Sequence, residues 1–187
     1  MTRSNNFVIA VALVGIGLVG VARGNVLWEN AAKMVGMPYI NSPTAEFAPT
    51  IVPDTAPLGY AGDLYFSFGV NQTETVILRS TFVGGDWPGW TERNKSTQLL
   101  QMLDRGKHYR DSYFSPDGTT FYFSSNDDEA TWGGNYGGFD IFTSTWDSIL
   151  LRWNTPVNIG PVINGSGDQG GPFLSPDGLT LTFHSDG

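Results

Sequence analysis

Residues 112–125, Ser-Tyr-Phe-Ser-Pro-Asp-Gly-Thr-Thr-Phe-Tyr-Phe-Ser-Ser, and residues 172–185, Pro-Phe-Leu-Ser-Pro-Asp-Gly-Leu-Thr-Leu-Thr-Phe-His-Ser, state one pattern twice. The Ser-Pro-Asp-Gly tetrads at Ser115, Pro116, Asp117, Gly118 and at Ser175, Pro176, Asp177, Gly178 lie 60 residues apart. Self-similarity at a fixed period of this size marks a repeat architecture. The tetrad suits a tight turn. Proline presets φ at the second position, aspartate fits the third, and glycine accepts positive φ. Alternation of period two follows, with Phe121 and Phe123 against Thr120 and Tyr122, then Leu181 and Phe183 against Thr180 and Thr182. Turn residues before such alternation predict a β-hairpin.

A worn third copy lies upstream. Pro49-Thr50-Ile51-Val52-Pro53-Asp54 aligns with 172–177, and Leu64 to Phe68 supplies the alternating strand. The turn aspartates 54, 117 and 177 are 63 and 60 residues apart. The second unit is the clearest. It predicts strands at Asp111–Phe114, Thr119–Ser125, Phe139–Thr145 and Arg152–Asn154, with a Gly-rich, acidic loop from Asn126 to Gly138. In the first unit, Thr75 to Thr81 reads as a third strand, and Gly84 to Trp90 as a turn-rich connection.

Four short strands in about 60 residues match a β-propeller blade, a four-stranded antiparallel sheet. The expected fold class is all-β: about two and a half blades at 46–107, 108–167 and 168–187, the last cut short, after an N-terminal signal helix. Such a chain reads as part of a longer propeller. Its open flanks are expected to expose Leu64 and Phe66 at one end and Leu181 and Phe183 at the other, and to leave it weakly cooperative alone.

Arg3 precedes an apolar run from Phe7 to Ala22, and Ala22-Arg23-Gly24 closes it with small residues. This is the layout of a signal peptide over 1–24, and export to the periplasm or outside follows. The run is shorter than the roughly 20 residues of a spanning helix. Membrane contact is therefore expected only through this segment, if it stays uncleaved. Residues 25–45 form a lead-in, with a short amphipathic helix at Leu27–Met37 stopped by Pro38 and Pro43.

Net charge is −8 and falls to −10 once Arg3 and Arg23 leave with the signal. Arg105, Lys107 and Arg110 are the one basic concentration, too small for a nucleic-acid footprint. The chain has no cysteine, which excludes disulfides, thiolate metal sites and a lipoprotein anchor.

Phe139-Asp140-Ile141-Phe142, the run Trp153 to Gly160, Ile163-Asn164 and the run Gly171 to Gly178 follow in a familiar order. The stretch from Glu46 to Gly187 resembles the TolB-type, WD-like periplasmic propeller repeats, which also occur in envelope proteins carrying OmpA-like domains. The resemblance implies a non-enzymatic, exported propeller that binds other proteins, and no cofactor. The alternative is the propeller part of a larger enzyme, prolyl-oligopeptidase-like or glycan-active, or a glycan-binding propeller.

Catalytic signals are sparse. His108 and His184 are the only histidines and lack a partner at ligand spacing. There is no Gly-x-Ser-x-Gly elbow. Ser115 to Gly118 also resembles the sialidase Asp-box, but its glycine follows aspartate directly. The paired carboxylates of a glycosidase cannot be picked out among scattered aspartates. Asp127, Asp128, Glu129 and Asp140 are the calcium candidates, because calcium takes six to eight oxygens; a solvated turn is the plainer reading. Trp87, Trp90, Trp132 and Trp153 would line a ligand groove or, more commonly, pack between units. The recurring Asp117 and Asp177 are read as structural, since an active site is built once.

Overall fold

Alternating apolar residues bounded by turn chemistry form antiparallel sheets here, with almost no helix. A computed structural model describes residues 46–57, 62–71, 74–81 and 97–187. The expected signal peptide over 1–24, the expected helix in the lead-in, and the connection carrying Trp87 and Trp90 fall outside the described residues. No helix among the described residues is long and apolar enough to cross a membrane.

The first sheet has three strands, β1 (Glu46–Ile51), β2 (Leu64–Asn71) and β3 (Glu74–Ser80), in the order β1-β2-β3. The second is a meander of β4 (Tyr109–Phe114), β5 (Thr120–Ser125), β6 (Asp140–Asp147) and β7 (Arg152–Trp153). A further short strand, β8 (Val157–Asn158), shares the outer lane with β7. β6 pairs with β7 through Trp146 and Asp147, and with β8 through Phe142 and Thr143. Pro156 stands in the break between them, where a strand would lose a donor. The third sheet is a hairpin of β9 (Gln169–Leu174) and β10 (Leu181–Ser185). Strand bounds move by one to three residues from those expected, and β8 is an addition.

β4 packs against β1 and β2 on one side and against β9 on the other, so the first strands of the three sheets lie together. An aromatic column crosses this junction. Tyr65 meets Phe114 edge-on at 5.0 Å, Phe114 meets Phe121 at 4.8 Å, and Phe123 stacks on Phe142 at 5.7 Å. Phe121, Phe123 and Phe142 are fully buried, as the alternation required. Each such pair adds about 0.5–1.5 kcal/mol beyond burial.

Two side-chain amides close the edges of the second sheet. A short helix, α1 (Gln98–Met102), is capped by Thr97, whose hydroxyl accepts from the Leu100 N–H. It buries Leu99 and Leu100, and Gln98 bonds both the N–H (2.8 Å) and the C=O (2.9 Å) of Trp153. Buried Asn164 grips both backbone groups of Ile141, at 2.8 and 2.9 Å. Each amide occupies edge groups that would otherwise invite another strand.

The expected exposure of Leu64 and Phe66 is corrected. They are 4% and 2% exposed, because β2 is buried on both faces. Leu181 and Phe183 are half-buried, while Phe173 and Leu179 stand out into solvent.

Candidate functional site

The two tetrad turns match except at one bond: the Thr119 hydroxyl also donates to Asp117 Oδ2 at 2.9 Å, where the second copy has Leu179. Ser115 O accepts from the Gly118 N–H and Ser175 O from the Gly178 N–H, both at 2.8 Å. Asp117 Oδ1 accepts from the Ser115 hydroxyl at 2.5 Å and the Thr119 N–H at 3.0 Å. Asp177 Oδ1 accepts from the Ser175 hydroxyl and the Leu179 N–H at 2.5 and 3.1 Å. The serine hydroxyl, then the backbone donor, holds each carboxyl below its usual range. Gly118 and Gly178 have φ of +69° and +73°, the region that favours glycine. Pro116 and Pro176 take the second turn position. The serine and aspartate side chains of both tetrads are thus engaged in shaping the hairpin.

The acidic loop is separated into ion pairs. Arg105 Nε donates to Asp127 Oδ2 at 3.1 Å, and its Nη2 donates to Glu129. Lys107 holds Asp128 at 2.8 Å, which lowers the affinity of that carboxyl for protons. The Tyr109 hydroxyl donates to Asp127 Oδ2 at 2.6 Å, and burial followed by this bond pushes the phenol pKa up. Glu129 caps a short 3₁₀ turn by accepting from the Thr131 N–H and hydroxyl. Asp140 is fully buried elsewhere. Its Oδ2 accepts from the Tyr136 N–H and from Asn158 Nδ2, and its Oδ1 has no partner. The four calcium candidates therefore do not converge, and no group of three or more metal-ligating side chains forms among the described residues.

Trp132 is 4% exposed and packs between Phe123 and Phe142, with Arg105 5.3 Å above its ring. Trp153 is 1% exposed, against Phe114 and Trp146. Neither offers a face to a ligand; both are packed, the commoner of the two expectations for them. His108 Nδ1 accepts from the Thr75 N–H at 3.3 Å, so it joins the first two sheets.

A different feature recurs on the first strand of every sheet. In β1, residues 48 and 49 face one residue of β2, since Phe47 pairs with Ser67 and Thr50 with Tyr65. In β4, residues 111 and 112 likewise face one residue of β5. In β9, residues 171 and 172 face one residue of β10. Each is a β-bulge, and its first residue is left-handed: Ala48 at φ 50°, Asp111 at 57° and Gly171 at 60°. A bulge of this kind re-aims a side chain and shifts the alternation by one. Tyr109, Ser112 and Phe114 all point inward as a result. The three left-handed residues stand 63 and 60 apart, the spacing of the turn aspartates.

All three bulges line one cavity of about 160 Å³, together with Thr50 and Tyr113. Asp111 Oδ2 accepts from the Gly171 N–H at 3.2 Å and lies 3.5 Å from Arg110 Nε. The Asp111 N–H donates to Ser67 Oγ at 2.8 Å, so this one residue ties three sheets together. Ser112 is 5% exposed, and its hydroxyl has no hydrogen-bond partner. His184 and Asp111 both crowd Gly170, where a Cβ would lie 2.6 Å from His184 Cε1 and 2.7 Å from Asp111 Oδ2. The sequence signal for this site was the repeat offset applied to residues other than the tetrad. Residue type hid it, because alanine, aspartate and glycine fill the same position.

No family model matches the chain, and no curated protein matches it.

Proposed function

We propose that the chain is a run of β-propeller blades of the TolB type, and that it works as a non-catalytic binding module in the bacterial envelope. The observation that carries this reading is the bulge repeated on the first strand of each sheet, at offsets of 63 and 60 residues, around one shared cavity. In a propeller the first strand of each blade lines the central axis, and successive blades pack side by side. The three first strands here are neighbours, and the second sheet has four lanes. The carboxylates of the acidic loop are occupied by Arg105, Lys107, Tyr109 and Thr131, which favours a structural role for that loop over acid–base chemistry. Export rests on the layout of residues 1–24, and the partner class on the resemblance of residues 46–187.

Affinity capture from an envelope fraction tests the module, with the chain as bait. The reading expects a protein retained at stoichiometric level and competed by free chain. Recovery of no partner, together with turnover of a small substrate by the chain, would overturn it.

A further inference from the structure

We propose that the cavity between the three bulges binds a primary ammonium group, carried either by a free amine or by a lysine side chain. The inference deepens the binding-module reading and rests on it. Asp111 is the only ionisable side chain that is charged at neutral pH among the residues lining the cavity. Its Oδ2 is occupied by the Gly171 N–H, while its Oδ1 has no donor among the described residues. Beside it, the Ser112 hydroxyl is buried without a partner. A buried polar group left unpaired is costly, so a native structure that keeps one commonly completes it with a ligand or water.

The left-handed backbone points the same way. A non-glycine residue held at positive φ is strained, because its Cβ crowds the following carbonyl oxygen. Ala48 and Asp111 both carry that strain at the cavity wall. Strain that the surroundings hold in place marks a position where function is to be sought.

The chemistry selects the ligand. An ammonium carries three donors and a positive charge, and Asp111, Ser112 and Thr50 are the oxygen-bearing aliphatic side chains among the residues that line the cavity. A carboxylate or phosphate ligand would meet Asp111 in a chain of net charge −8. Arg110, the nearest guanidinium, lies 3.5 Å from Asp111 Oδ2, 3.7 Å over the Phe139 ring and 3.6 Å from Asp168, so Oδ1 is the Asp111 atom left to a ligand. A calcium ion would need six to eight oxygens, against one carboxylate here. Pro49, Pro172 and the Tyr113 ring supply apolar surface for an alkyl stem.

The test is an amide-resolved NMR titration of the whole chain with butylamine and with Nα-acetyl-lysine amide. Butanol and the doubly acetylated lysine amide are the controls. Saturable shifts centred on Ala48, Asp111 and Gly171 are expected from one or both amines and from neither control. Butylamine alone would identify a free amine; binding by the lysine amide would identify a protein side chain. Asp111→Asn keeps a residue that tolerates the left-handed region and should weaken binding at least about tenfold. Ser112→Ala should weaken it severalfold, and it reads the site if the Asp111 variant fails to fold. Absence of saturation, equal binding of the controls, or unchanged affinity in the variant that folds would overturn the proposal. Amine binding without any captured partner would leave the site standing and sink the partner reading; a captured partner without amine binding would do the reverse.

Discussion

Asp111 accepts a hydrogen bond from the amide of Gly171, a residue 60 positions later that occupies the same place in the next unit. One carboxylate thus bridges two copies of a single structural device. The left-handed residue, the bulge and the turn aspartate six residues on recur as a set. That recurrence links sequence period to sheet packing and to the cavity.

The two tetrad glycines should respond differently to alanine. At Gly178 nothing lies within 4 Å of an added Cβ, so strain alone acts and Gly178→Ala costs about 1 kcal/mol. At Gly118 the Cβ would lie 2.5 Å from Ala56 Cα, which adds overpacking and brings the cost to about 2–4 kcal/mol. Denaturant melts of both variants check the order. Equal losses would mean that the first sheet does not press on this turn.

The bulge residues make the opposite pair. Ala48→Gly relieves a strained φ of 50° and should be neutral or stabilising by up to about 1 kcal/mol. Gly171→Ala imposes that strain at φ 60° and brings a Cβ to 3.1 Å from His184 Nδ1, so it should destabilise by about 1 kcal/mol or more. Thermal shifts of opposite sign are the expected result.

Stability should fall in acid through the turn carboxyls. Asp117 and Asp177 are both held below the ordinary carboxyl range by their serines. A depressed folded-state pKa gives stability that is present above the unfolded value of about 3.9 and is lost as pH falls through the folded value. The denaturation midpoint should therefore drop below about pH 4, and less steeply in Asp117→Asn. Both groups are solvent-exposed enough that the effect is small. An unchanged pH slope in the variant would contradict this assignment.

The buried pair of Arg79 and Asp63 is a stiffer test of the first sheet. Their side chains are 11% and 3% exposed. Arg79→Met alone breaks the pair and should destabilise the fold, by about 3–5 kcal/mol if it behaves as buried pairs do when one partner is removed. Replacing both partners with apolar residues should recover much of that loss. A double-mutant cycle measures the coupling.

The hairpins were legible because their cause is local. Proline, aspartate and glycine dictate the turn within four residues, and Phe121 and Phe123 then fall on the buried face. The cavity was not legible from residue types. A left-handed position occupied by Ala48 or Asp111 carries no glycine to announce it, and the cavity forms only where three distant strands meet. Asp127 and Trp132 left two readings open for a related reason. An acid and an aromatic in a long loop can line a ligand site or be held in place, and the choice rests on Arg105, which holds both. α1 was missed because five residues carry too little periodicity, although Thr97 before Gln98 is a capping signal.

The central claim is that successive units pack side by side through their first strands. Aromatic cross-peaks in an NMR spectrum of the chain test it directly. Contacts are expected between the Tyr65 and Phe114 rings, whose centroids are 5.0 Å apart, and between Tyr113 and Phe173, 5.2 Å apart. Cross-peaks within each hairpin but none between those rings would contradict it.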